Sequence, residues 1–243
     1  MKKEKAALSV RIIWFCRGGG ILIAVFAFVS GLFFAHNPGD SFYNCFLALL
    51  FIALTFIPDI MKKRMKIYLP TGLQAAIVVF IFAAQILGEI RNFYARFPWW
   101  DTALHTLSGV ILGYIGFLII YSINTDRITR RRMNIAGVIA FAFFFAVGCG
   151  ALWEILEFSI DFFLNKNTQS GVTVAEIRDM IDGMEPGEWF RDPGLNDTMK
   201  DLIMDTIGAV AAIVMGYFTI RRHHDRLISE FETHAPADGG TLN

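Results

Sequence analysis

Six apolar runs, at roughly 13–35, 42–59, 70–88, 102–123, 135–163 and 199–220, constrain this chain more than any other feature. A helix that crosses a bilayer needs about 17–25 predominantly apolar residues, and each run meets or approaches that length. In hydrocarbon the backbone has no water to bond, so a crossing segment must satisfy its own hydrogen bonds. Open sheet edges are excluded, and an all-α polytopic membrane protein with six transmembrane helices is expected. Composition agrees: 55% of the 243 residues are hydrophobic and 18% charged, against about 45–50% apolar and 25% charged in soluble domains. The fifth run is long enough to tilt or to project from the membrane. The first run follows "MKKEK", as a secretory signal would. However, "LFFAHN" lacks a small-x-small cleavage pattern and the run exceeds a signal's apolar core, so it reads as a span.

Basic residues give the direction. Lys2, Lys3, Lys5 and Arg11 precede span 1, "KKRMK" occupies 62–66, "DRITRRR" 126–132 and "RRHHDR" 221–226. The alternate loops carry few Lys or Arg, so the positive-inside rule places both termini in the cytoplasm and loop 164–198 outside. Residues 1–222 then form one bundle, and 223–243 is expected to be a disordered cytoplasmic tail. "FPWW" at 97–100 reads as an outer interfacial aromatic belt. A balance of 22 basic and 22 acidic residues suggests no nucleic-acid partner. The three cysteines, Cys16, Cys45 and Cys149, lack the spacing of a disulfide or zinc framework and read as small apolar fillers. His223, His224 and His234 read as part of a solvated tail. In the outer loop, "TVAEIRDMIDGM" has Thr173 as a cap with Glu176 three residues on, and Val174, Ile177 and Ile181 on one face. A short helix near 173–183 is expected, docked as a lid.

The intramembrane polar residues form three stripes. On span 4, Asp101, His105 and Ser108 fall at i, i+4 and i+7, on one helical face. On span 5, Glu154, Glu157 and Asp161 occupy a sector about 60° wide. On span 6, Asp197, Asp201 and Asp205 descend about 12 Å along one face. All three stripes lie in the outer half of the bundle, and Glu89 ends span 3 on that side. A carboxylate at a helix centre costs about 2.5–3.5 kcal/mol on insertion scales, so the stripes should face one another. Asp101 and Asp197 also stand near helix starts, where a purely capping role is an even alternative.

Carboxylates crowded into a confined space raise one another's pKa. Some must be protonated, paired with Lys200, Arg91, Arg96 or Arg178, or bound to a cation. The donor set suits a divalent metal such as Mg, Mn or Zn. The candidate ligands are Asp101, His105, Glu154, Glu157, Asp161, Asp201 and Asp205, with His105 and Glu157 as candidate catalytic bases. His105, Glu154, Glu157, Asp201 and Asp205 are expected around one centre, with Asp101 and Asp161 nearer its mouth. "GVILG" at 109–113 is a GxxxG pattern, read as close packing within the bundle.

"WWDTALHTLSG", "ALWEILEFSID" and "DTMKDLIMDTIGA" together resemble the YjdF-like family of bacterial inner-membrane proteins of unknown function. The likeness covers about Trp99 to Gly208. The D-x-x-x-H opening and D-x-x-x-D…G close are more remotely similar to VanZ-like membrane proteins of the cell envelope. Here Asp205 stands where that pattern usually has Asn, and Glu157 where it often has Gln. The resemblance implies a bacterial plasma membrane location and six spans, and no reaction.

Three functional classes are compatible with these residues. The first is a metal-assisted hydrolase or transferase acting on a lipid headgroup or envelope precursor. The second is a proton- or cation-coupled transporter using Glu154, Glu157 and Asp205, for which Gly148 and Gly150 hint at a broken span. The third is an envelope scaffold whose polar groups only hold the bundle together. The one-sided placement of the stripes favours the first over the second.

Overall fold

The computed structural model describes residues 2–34, 38–123, 135–164, 167–169, 174–185, 187 and 192–234. Among them there is no strand. Six helical stretches are long and apolar enough to cross a membrane: Glu4–Phe33, Pro38–Arg64, Thr71–Ile90, Trp100–Ile120, Ile135–Phe163 and Pro193–Phe218. They lie where the apolar runs placed them.

Span 1 is α1 (Lys2–Phe33). Span 2 is α2 (Pro38–Leu54) followed by α3 (Ile57–Arg64). Pro58 has no N–H to continue the ladder, and the chain turns at Thr55 and Phe56 before resuming. Span 3 begins as α4 (Thr71–Ile81) and continues as a π-helical segment, Phe82–Ile90. The Arg91 amide donates to the Ile86 carbonyl five residues back, at 3.0 Å. Asn92 then adopts φ 57° and ψ 39°, a left-handed conformation that asparagine tolerates better than most residues. It turns the chain into α5 (Phe93–Arg96), which precedes α6 (Trp100–Ile123). Span 5 is α7 (Ile135–Leu164), unbroken through Gly148 and Gly150. The hinted break therefore lies elsewhere, at Thr55–Phe56.

The short α8 (Val174–Asp182) stands in the expected stretch of the outer loop; its expected cap, Thr173, lies outside the described residues. The expected docking as a lid is not seen among its described residues. Met180 and Ile181 are exposed and Ile177 only half-buried, so the helix buries too little apolar surface to dock. The last helix, α9 (Pro193–His234), runs past the span into the stretch expected to be a tail. The stretch "RRHHDRLISEFETH" holds no Gly or Pro, so nothing in it stops a helix already nucleated in the membrane. Residues 235–243 lie outside the described residues.

Three apolar clusters result, the second joining spans 3 and 4 and the third spans 4 and 5. Ile13, Cys16, Ala24, Ala48, Phe51, Ala75, Val78 and Ile86 form one core among spans 1 to 3. Cys16 there is a buried filler, as read from the sequence. The C-terminal half adds close backbone approach to its side-chain cluster of Phe117, Val138 and Ala142. A Cβ on Gly109 of α6 would run into the Asp205 carbonyl and the Ala209 amide of α9, and one on Gly208 into the Thr106 carbonyl and Val110 amide of α6. Gly113 sits on Ala212 in the same way. The GxxxG pattern thus packs α6 on α9 inside the chain. Large apolar side chains outside these contacts, such as Phe15 at 79% and Phe162 at 71% exposure, point away from these clusters, as lipid-facing residues do.

Candidate functional site

On α9 one stripe carries Asp201, Asp205, Gly208, Ala209, Ala212 and Gly216, all buried. Its deeper part is small and lets α6 approach; its outer part is acidic. The same approach therefore drives His105 of α6 against the carboxylates. His105 is 8% exposed, Glu154 4%, Asp201 2% and Asp205 2%.

The imidazole divides its neighbours. Its Nε2 lies 3.5 Å from Asp101 Oδ1 and 4.0 Å from Asp201 Oδ2. Its Nδ1 lies 3.3 Å from Asp205 Oδ2 and 3.9 Å from Glu154 Oε1. Ser108, one turn on from His105, bonds Asp205 Oδ1 through its hydroxyl, which also lies 2.8 Å from the His105 carbonyl. Gly150 of α7 leaves the room that the Asp205 carboxylate occupies; a Cβ there would overlap it. Asp205 is thus held from three helices.

Two carboxylate oxygens of these residues, Glu154 Oε1 and Asp201 Oδ1, are buried without a hydrogen-bond partner among the described residues. A buried acceptor left unpaired costs about 1–3 kcal/mol, so each calls for a proton or a cation. Asp101, His105 and Asp201 offer one ligand atom each, all within 4.8 Å of one another. Donors on a divalent ion stand about 2.0–2.2 Å from it, so these three need small inward movements to share one.

The structure thus brings together five of the seven candidate ligands around one imidazole: Asp101, His105, Glu154, Asp201 and Asp205. The other two are placed differently. Glu157 is half-buried, one turn along α7 from Glu154, and its Oε1 accepts from the Trp153 indole at 2.8 Å. It lies within electrostatic reach of Glu154 and His105. Asp161 ties down the loop: its Oδ1 accepts from the Thr168 amide at 2.7 Å and its Oδ2 from the Gln169 amide at 2.9 Å. Gln169 in turn donates to Thr198 Oγ1 at 2.6 Å, joining that loop to α9. Asp197 also makes an interaction of its own.

Tyr94 escaped the sequence argument. It stands in α5, between spans 3 and 4, with its ring packed against Gly88 so closely that a Cβ there would overlap it. Burial, then the carboxylates of Asp101, Glu89, Glu157 and Asp201, push its phenol well above the usual tyrosine range. The phenol stays protonated, a hydrogen-bond donor at the edge of an acidic site. Only its place just before Asp101, among belt aromatics, could have pointed to it. Arg17 and Thr55 were also missed, because each is a lone polar residue in an otherwise apolar run.

Residues 20–222 match the family model described as "Predicted membrane protein (DUF2238)". An uncharacterized protein of Thermotoga maritima is 29% identical over 154 residues, which cover 63% of this chain and 66% of that relative. The match therefore spans just under two thirds of the relative's length. No solved structure matches.

Proposed function

The chain belongs to the DUF2238 family of predicted membrane proteins, and on that premise we propose that its acidic centre holds a divalent cation for hydrolase or transferase chemistry. The substrate class is a lipid headgroup or a lipid-linked envelope precursor. The observation that carries this reading is the division of the His105 ring. Nε2 faces Asp101 and Asp201, the side where a cation would sit, while Nδ1 faces Asp205. A metal-ligating histidine commonly donates its second N–H to a carboxylate, which sets its tautomer and orientation. Asp205, braced by Ser108, supplies that carboxylate. Asp101, His105 and Asp201 are then the ligands, and Glu154 lies with Asp205 on the Nδ1 side of the ring.

With His105 engaged as a ligand, Glu157 is the general base. Water attacks the phosphoryl phosphorus as its proton passes to Glu157. The new P–O bond forms as the bond to the leaving alkoxide breaks, and Glu157 returns the proton to that alkoxide. A divalent cation held by Asp101, His105 and Asp201 would supply Lewis-acid polarisation of the phosphoryl oxygen.

The proposed setting is a bacterial plasma membrane with both termini in the cytoplasm, supported by the distribution of Lys and Arg. A cysteine placed at Ser170 should be labelled from outside and one at Thr129 should not; the reverse would put the acidic centre on the wrong side. The test of function uses purified protein in proteoliposomes. Bound Mg, Mn and Zn are measured, and headgroup release from phospholipid and lipid-linked phosphate esters is followed by mass spectrometry. Metal-dependent release that His105→Gln abolishes is expected. Metal bound without turnover on any of these esters would sink the enzyme reading.

A second reading, cation-coupled transport, draws on the break at Thr55–Phe56 and the π-helical stretch in span 3. Interrupted helices are frequent in carriers, and π-bulges at functional sites. Cation flux into the same vesicles, lost in Asp205→Asn, would favour it.

A further inference from the structure

A second polar site lies across the membrane from the acidic centre. Successive spans alternate in direction, so the loop after span 2, beside Asp59, lies on the opposite face from the one before Asp101. There a cavity of about 220 Å³ is bounded by α1, the α2–α3 break and α4. Arg17, 8% exposed within span 1, forms its polar wall. Its Nε donates to Thr55 Oγ1 at 3.1 Å, and its Nη2 to the Thr55 carbonyl at 2.8 Å and to Asp59 Oδ2 at 2.9 Å. The Phe56 ring lies 4.1 Å from the guanidinium carbon.

These bonds use three of the five guanidinium donors, leaving the two on Nη1. The Asp59 side chain is still 42% exposed, so the anion retains accepting capacity as well. The site therefore offers one fixed cation and one fixed anion, close together and net neutral. Gln74 and Thr55 add neutral polar groups. The volume equals that of about seven liquid waters, room for a small polar group and not for an acyl chain. Val10 and Trp14 on its rim are exposed on the outer surface of α1, the surface that meets lipid. A ligand with a polar head and apolar tails could enter sideways and leave its tails on that face.

We propose that this cavity is a headgroup site for a phospholipid bearing a primary ammonium, with its phosphate on Arg17 and its ammonium on Asp59. The net-neutral pair selects a zwitterion over an anion. An anionic phosphate diester would set a second negative charge beside Asp59 without bringing it an ammonium, eased only by Lys62 and Lys63 further along α3. A quaternary ammonium would give Asp59 no N–H to accept. The proposal is independent of the metal centre, which lies on the other face.

The full chain, purified in detergent and equilibrated with phosphatidylethanolamine–phosphatidylglycerol mixtures, is analysed by native mass spectrometry. Phosphatidylethanolamine should be retained about tenfold over its share of the mixture. Asp59→Asn leaves Arg17 uncompensated and keeps the shape; it should reverse the preference towards phosphatidylglycerol. Arg17→Gln with Asp59→Asn removes both charges and should abolish any preference. Circular dichroism confirms that each variant is helical, and the double variant leaves no buried charge unpaired should a single variant fail to fold. Enrichment of phosphatidylethanolamine that survives in the double variant, or its absence in the native chain, would overturn the site. Free phosphoethanolamine, titrated by calorimetry, should bind far more weakly than the lipid. Equal affinity would overturn a lipid as the source.

Discussion

In the first three spans one buried cation meets one anion, Arg17 and Asp59 at 2.9 Å. In the last three, a single imidazole meets four carboxylates at 3.3 to 4.0 Å. The first arrangement closes its charge within the chain, and its guanidinium also satisfies the Thr55 carbonyl that the α2–α3 break sets free. The second leaves more negative charge than the imidazole alone offsets, with Lys200 within electrostatic reach of Asp101. In a low-dielectric interior that excess is far costlier than at a surface. The N-terminal pair therefore balances its own charge, whereas the C-terminal cluster calls for protons or a cation. The packing differs in parallel: side chains interlock in both halves, and in the second the backbones of α6 and α9 also touch.

The packing difference gives the largest expected effect. Gly109→Leu or Gly208→Leu would place a side chain on the facing helix backbone, which cannot move aside. Loss of folded, monodisperse protein is expected. Gly20→Ala in α1 meets only the Phe51 ring and the Ile52 side chain, which can shift, so a cost of about 1–3 kcal/mol is expected. If Gly20→Ala proves as damaging as Gly109→Leu in detergent-extracted yield, the contrast between the halves is wrong.

Charge gives the next effects. Arg17→Met strands Asp59 and the Thr55 carbonyl. Breaking a buried pair costs about 3–5 kcal/mol, and the partial exposure of Asp59 puts this case at the lower end. Asp205→Asn, in contrast, removes one of several mutually repelling charges. In metal-free protein it should leave thermal stability unchanged or raise it, and in metal-loaded protein it should lower the bound metal. A drop in metal-free stability as large as that of Arg17→Met would show that the four carboxylates are already balanced.

Chelation sharpens the same point. A cation present at 100 times its Kd stabilises the fold by about 2.7 kcal/mol. A chelator should therefore lower the Tm of the native chain and leave Asp201→Asn unmoved. Equal Tm values with and without chelator in the native chain would leave the carboxylates to be balanced by protons.

The smallest effect concerns Tyr94. Its folded-state pKa is raised, so the stability it contributes is complete below the unfolded value of about 10 and is lost as pH rises through the folded one. Tyr94→Phe should cost about 1 kcal/mol near neutrality and should flatten the alkaline limb of the stability curve. An unchanged alkaline limb would show that the phenol is solvated.

The six spans were legible because each is a local property: a run of apolar side chains long enough to cross hydrocarbon needs no partner to be recognised. The acidic stripes were legible for a related reason. Helical periodicity places Asp101 with His105, and Asp201 with Asp205, before any packing is known, and lipid forces such stripes inward. What periodicity could not supply was rotation between helices. Small residues at Gly109, Gly113, Gly208 and Ala212 had to meet before His105 could be assigned its four carboxylates. The same limit left Glu157 beside Trp153, and Asp161 engaged with the loop at 168–169. Arg17, Asp59 and Thr55 were invisible as a group because they lie about 40 residues apart, on two helices, with no shared pattern. Composition and periodicity act along one chain direction, and they determined which segments cross the membrane and which face of each is polar. Only the packing of those helices decided which polar faces meet, because interhelical distance and rotation depend on side-chain volumes contributed by both partners at once.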